Sequence, residues 1–94
     1  MQLGKVIKEK RKRLGLNQVE FSQAVGITQT FLSQIENDKK EPSAKVLTNI
    51  CDTLGISKPI LIWLTLEEKD IREDKREGFN TLKSSVDALI KDFI

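Results

Sequence analysis

The stretch from Asn17 to Glu36, NQVEFSQAVGITQTFLSQIE, constrains this 94-residue chain more than any other. It predicts two short helices joined by a tight turn. Asn17 suits an N-cap, and Glu20 three residues later completes capping-box spacing, with Asn in place of Ser or Thr. Val19, Phe21, Ala24 and Val25 mark the expected buried side of the first helix. Gly26 ends it, where a positive φ is usual. Ile27 is placed to pack inward from the turn, and Thr28 to cap the second helix. Phe31, Leu32 and Ile35 share one side of that helix. The other side shows Gln29, Thr30, Ser33, Gln34 and Asn37, a neutral hydrogen-bonding row without a carboxylate.

Two short helices in this arrangement are the format of a helix–turn–helix, whose second helix presents short polar groups to base edges. Composition agrees with an all-α chain. There are four Phe, one Trp and two Pro, and 38% of residues are hydrophobic, enough for one small core. Histidine is absent, which removes the commonest general base and metal ligand. Cys51 is the single cysteine, so it offers no intramolecular disulfide and is expected to be an inert core residue. The most apolar run, Ile60 to Leu66, is too short to cross a bilayer, and no signal peptide is visible. A cytoplasmic, reducing location without membrane contact is expected. Net charge is only +2, but its distribution is uneven. Residues 1–57 carry nine Lys/Arg against six Asp/Glu, and residues 58–94 carry seven against eight. The positive excess lies with the helix–turn–helix, as a phosphate-binding surface requires.

Taken in order, Gln2 to Leu14 reads as helix 1, with Leu3, Val6, Ile7 and Leu14 inward and Gly15 as its stop. Helix 2 runs from about Gln18 to Val25 and helix 3 from Gln29 to about Asn37. Residues 38–42 form a loop. Ser43 caps helix 4, whose face carries Val46, Leu47, Ile50, Cys51 and Leu54, and Gly55 closes it. Helix 5 starts near Pro59 and is apolar nearly all round, so part of Ile60 to Leu66 should meet a second protomer or the C-terminal segment. Thr65 to Glu68 predicts a further helix start at Leu66, and the charged run Glu67 to Glu77 reads as a solvated helix or linker that Gly78 interrupts. Phe79, Leu82, Val86, Leu89 and Phe93 then follow in an a/d pattern, widened by Ile90 and Ile94. That stripe is too short for a free coiled coil, so it should dock on helix 5 or pair across a dimer.

The ordered pieces IKEKRKRLGLNQ, VEFSQAVGIT, FLSQIEN, EPS and LGIS, from about Gly4 to Ser57, resemble the phage-repressor (Cro/repressor, or XRE) family. The resemblance implies a five-helix lambda-repressor-like helix–turn–helix domain over residues 1–66. Residues 67–94 would add a charged segment and a C-terminal amphipathic helix for dimerisation or docking. Three places depart from the family pattern: Phe21-Ser22 for a common Leu-Ala, Lys10 for an aliphatic residue, and Asn37-Asp38 for a frequent Arg-Gly or Asn-Gly.

By this resemblance Gln29, Thr30 and Gln34 read bases and Ser33 reads a base or a phosphate. Gln suits adenine N6/N7, and the Thr methyl suits thymine. Gln18, at a helix N-terminus, is implied as a phosphate clamp, with Asn37, Lys39 and Lys40 as further phosphate contacts. Relatives pair an Arg and a Glu at the positions of Arg11 and Glu36, which implies a structural ion pair. Ile60, Leu61, Trp63, Leu64, Phe79, Leu82, Val86, Leu89 and Phe93 are the candidate dimer residues. The expected function is a repressor-type regulator that binds double-stranded DNA at a palindromic operator as a homodimer. The alternatives are a DNA-binding antitoxin whose tail, Glu67 to Ile94, folds on a small toxin, and the controller protein of a restriction–modification system. Without histidine, a Gly-rich phosphate loop or a ligand cluster, neither an enzyme, a metal site nor a cofactor is expected.

Overall fold

The computed structural model describes residues 2–91. Among these it contains the helices α1 (Leu3–Arg13), α2 (Gln18–Val25), α3 (Gln29–Glu36), α4 (Ala44–Leu54), α5 (Lys58–Thr65) and α6 (Arg76–Ile90). Two single 3₁₀ turns, Glu68–Asp70 and Glu73–Lys75, join α5 to α6. No strand occurs among the described residues, and no described helix is long and apolar enough to cross a membrane.

Local chemistry sets most boundaries. Asn17 Oδ1 accepts the Glu20 N–H at 2.8 Å, and Glu20 Oε1 accepts the Asn17 N–H at 3.0 Å, which satisfies two otherwise orphaned donors of α2. Gly26 ends α2 at φ 89°, a left-handed conformation costly to other residues. Thr28 and Ser43 cap α3 and α4 through their hydroxyls.

The inward faces of α1 to α4 meet in one cluster of Ile7, Phe21, Val25, Leu32, Ile35 and Ile50. A second cluster, Val6, Cys51 and Leu61, seats α5 against α1 and α4. Burial pushes the Cys51 thiol above its ordinary pKa. Three residues expected inside are exposed. Leu14 lies past the last turn of α1, where the chain swings toward Gly15. Val19 is two residues before the buried Phe21, roughly 200° around the helix, and so faces solvent. Ala24 is also exposed, and the inward stripe of α2 is Phe21, Ser22 and Val25.

Three expectations for the C-terminal region are corrected. No helix starts at Leu66; that residue is the extended C-cap of α5. The capping interaction falls two positions later, from Glu67 rather than Thr65, with the Glu67 N–H donated to Asp70 at 2.8 Å, and it closes only one turn. This charged run buries no side chain, so nothing propagates the helix. Gly78 does not interrupt, because α6 begins at Arg76 and passes through it. Leu61 cannot serve a dimer, because it is fully buried in its own chain's core, and Leu64 packs against the same cluster.

Part of the C-terminal stripe takes the first of its two expected destinations and docks on α5. Phe79 packs on Trp63 with ring centroids 6.1 Å apart. The Trp63 indole N–H donates to Asp87 at 3.0 Å. Lys83 lies 5.0 Å from the indole centroid and donates to the Trp63 carbonyl at 3.0 Å. Trp63 and Phe79 are thus engaged within the chain, whereas Leu82 and Leu89 point outward, 55% and 70% exposed. Val86 and Ile60 are half-buried. Phe93 and Ile94 lie outside the described residues.

Candidate nucleic-acid interface

The polar face of α3 follows from how its apolar face is used. Leu32 and Ile35 are buried, which turns Gln29 and Thr30 to solvent and leaves Ser33 and Gln34 half-exposed. Gln18, at the start of α2, joins these four in lining one shallow concavity of about 330 Å³. Five neutral side chains with both donors and acceptors therefore converge on one hollow. This array can pair with base edges without repelling phosphate.

Beyond α3 the chain folds back. The Lys39 and Lys40 N–H groups donate to the Gln34 carbonyl at 2.8 and 3.2 Å, which leaves both ammonium side chains exposed beside the end of α3. The Asn37 amide nitrogen donates to the Ser33 carbonyl at 2.9 Å. Asn37 and Ser33 thus form one local unit at the last turn. Asp38 adopts φ 58°, uncommon for a side-chain-bearing residue but tolerated by Asp. Its carboxylate does not lie free among the lysines. It accepts the Gly4 N–H at 3.1 Å, at the positive N-terminal end of α1.

Gly4 makes this seam geometrically feasible. A Cβ there would sit 2.5 Å from the Ile35 carbonyl oxygen and 2.6 Å from that of Glu36. The start of α1 therefore touches the end of α3 backbone to backbone. Sequence reasoning missed both Gly4 and the destination of the Asp38 side chain. A glycine in the first turn of a Lys-rich helix was the only signal available.

Behind the α3 surface lies a buried charge pair. Arg11 Nε donates to Glu36 Oε2 at 2.7 Å, and Nη2 donates to Oε1 at 3.1 Å. Nη1 donates to the Leu16 carbonyl at 2.8 Å. The side chains of Arg11 and Glu36 are 7% and 1% exposed. Gln18 Nε2 also donates to Glu36 Oε1, at 3.1 Å. Lys10 on α1 is half-buried, and burial followed by the nearby Arg13 charge lowers its pKa. No group of acidic, cysteine or histidine residues suited to a metal ion occurs among the described residues.

Comparison with known proteins agrees with this architecture. A helix-turn-helix family profile matches residues 7–61. The chain is 41% identical over 59 residues to the ImmF control region 10 kDa protein of Bacillus phage phi105, covering 63% of this chain and 66% of that protein. It is 31% identical over 77 residues to the immunity repressor protein of the same phage, covering 82% and 51%. It is 38% identical over 55 residues to the antitoxin PezA of Streptococcus pneumoniae, covering 58% and 35%. The chain thus spans less than two thirds of the length of each of these curated relatives. Among solved structures, the clp gene regulator ClgR of Corynebacterium glutamicum shares the fold, with a TM-score of 0.62 at 22% identity over 96% of this chain and 84% of that one.

Proposed function

This chain belongs to the helix-turn-helix family of phage-repressor (XRE) type, and from that premise we propose that it is a repressor-type regulator that reads a palindromic operator as a homodimer. The observation that carries the reading is the single hollow formed by Gln18, Gln29, Thr30, Ser33 and Gln34, with the Glu36 carboxylate that Gln18 touches buried against Arg11. Gln29, Thr30 and Gln34 contact base edges, and Ser33 contacts a base or a phosphate. Gln18, Asn37, Lys39 and Lys40 hold the backbone, the two lysines as charges without sequence preference.

One α3 reads only a few base pairs, so specificity needs a second copy, with half-sites about 34 Å apart. The outward Leu82 and Leu89 of α6 and the half-buried Val86 supply the apolar surface for that copy. Residues 1–66 then read DNA, and residues 67–94 set the spacing between the two readers.

Fluorescence anisotropy on the DNA upstream of the chain's own gene, at two salt concentrations and with Gln34→Ala alongside, tests the reading. Salt-sensitive binding that exceeds binding to random DNA and fails with Gln34→Ala supports it. Equal weak binding to every duplex contradicts it. The match to an antitoxin, together with the exposed stripe of α6, favours a second reading in which that stripe folds against a small toxin. Co-purification of a small partner from the native host separates the two.

A further inference from the structure

We infer that Glu36 is a positioning residue for DNA binding, which acts by fixing which atoms Gln18 presents to the phosphate backbone. The inference rests on the proposal that Gln18 is a phosphate contact. Its structural basis is the third bond at the Glu36 carboxylate. Two Arg11 bonds suffice to neutralise that group and tie α1 to α3. The bond from Gln18 Nε2 at 3.1 Å adds α2 to the assembly, and a purely structural pair does not call for it.

The chemistry of the amide makes the orientation unambiguous. A carboxylate accepts hydrogen bonds and repels a carbonyl oxygen, so the nitrogen of Gln18 must face Glu36. One amide hydrogen is thereby used. The second N–H and the Oε1 atom are left for the hollow shared with Gln29, Thr30, Ser33 and Gln34. Without Glu36, the three torsions of a half-exposed glutamine would be free and the amide could flip. Holding the amide before DNA arrives removes that ordering cost from the binding step. The charged acceptor also polarises the amide, which strengthens its remaining N–H as a donor. Arg11 is the anchor of this relay. Its bidentate grip, and its third bond to the Leu16 carbonyl, prevent the carboxylate from following Gln18 outward.

The test is a mutant cycle read on DNA affinity. The probe is a duplex selected from a random library by the wild-type protein. Arg11→Met combined with Glu36→Met removes the pair without changing net charge, and apolar replacement of a buried pair commonly preserves folding. Gln18→Ala should weaken binding about tenfold, as expected for loss of a bond to a charged group. The double replacement should weaken binding about fivefold when Gln18 is present and less than twofold in the Gln18→Ala protein. The slope of affinity against salt should stay unchanged, because a neutral amide releases no counterion. If the double replacement does not fold, Arg11→Gln combined with Glu36→Gln gives the same comparison, since it removes both charges together, keeps hydrogen-bonding amides in their place and offers Gln18 no carboxylate.

Equal losses in both backgrounds would show a purely structural role and overturn the inference, as would wild-type affinity after removal of the pair. If Gln18→Ala is silent while Gln34→Ala weakens binding, the inference falls and operator recognition by α3 stands. If the wild-type protein selects no duplex, the proposed function falls and the inference with it.

Discussion

Glu36 shows how one residue serves two ends of the fold. Its carboxylate is closed to solvent and compensated by Arg11, so removing one partner strands a desolvated charge. Arg11→Ala or Glu36→Ala should each cost about 3–5 kcal/mol of unfolding free energy, measured by urea denaturation. Gly4 carries the other steric constraint. Gly4→Ala sets a methyl against two backbone oxygens that no rotamer change can move, so it should cost about 1–3 kcal/mol despite alanine's better helix propensity. A Gly4→Ala protein as stable as wild type would show that α1 can shift freely along α3. On the DNA-facing side, Gln34→Ala should lose about 1–3 kcal/mol of discrimination between operator and random sequence. Lys39→Ala should weaken both equally and lower the salt slope by about 0.9. Anisotropy titrations at several salt concentrations separate these two outcomes.

Among the elements, α6 is held differently from the rest. The first five helices share two apolar clusters, whereas α6 docks through one aromatic contact and a polar latch of Trp63, Lys83 and Asp87. A latch of this kind buries little area, so α6 should open well below the free energy of global unfolding. Trp63 is the only tryptophan and reports on it directly. Lys83→Met should red-shift its emission and raise hydrogen exchange along α6, with little change in the melting of the other helices. An unshifted spectrum would mean that Phe79 alone holds the helix. The first turn after α5 has a pH signature. The Gln2 side chain, bonded to Glu67, lowers the pKa of that carboxyl, and the Glu67 N–H lowers that of Asp70. Both folded values lie below the ordinary carboxylate range, so their contribution is fully present above that range and is lost as pH falls through the folded values. NMR titration should therefore show the Glu68–Asp70 turn loosening only in acid, with neutral pH unaffected.

At the scale of the whole molecule, the outward face of α6 and the hollow on α3 have to act together. If the second copy meets at Leu82 and Leu89, Leu82→Asp combined with Leu89→Asp should yield a monomer by sedimentation. Operator affinity should fall by more than tenfold while a single half-site is bound as before. A variant that remains dimeric would move the interface to the shallow apolar surface of Pro59 and Ile62 on α5 and Leu66 at its C-cap.

What was legible in the sequence was whatever is decided within a few residues. Asn17 with Glu20, Thr28, Ser43 and Gly26 bound their helices, because caps and left-handed stops act over three or four positions. Ile7, Phe21, Leu32 and Ile35 declare their inward faces by helical period. Period alone misplaced Val19 and Leu14, where a two-residue offset or a helix end turns a hydrophobic residue outward. Tertiary structure decided what depends on positions far apart in the chain. Asp38 reaches Gly4 across 34 positions, Glu36 joins Arg11 across 25 and Gln18 across 18, and Trp63 meets Asp87 across 24. It also buried Leu61 and freed Leu82, although both read as candidate dimer residues on apolar helix faces. The physical reason is that helical period states only that a face must be covered, and the packing of the other helices determines what covers it.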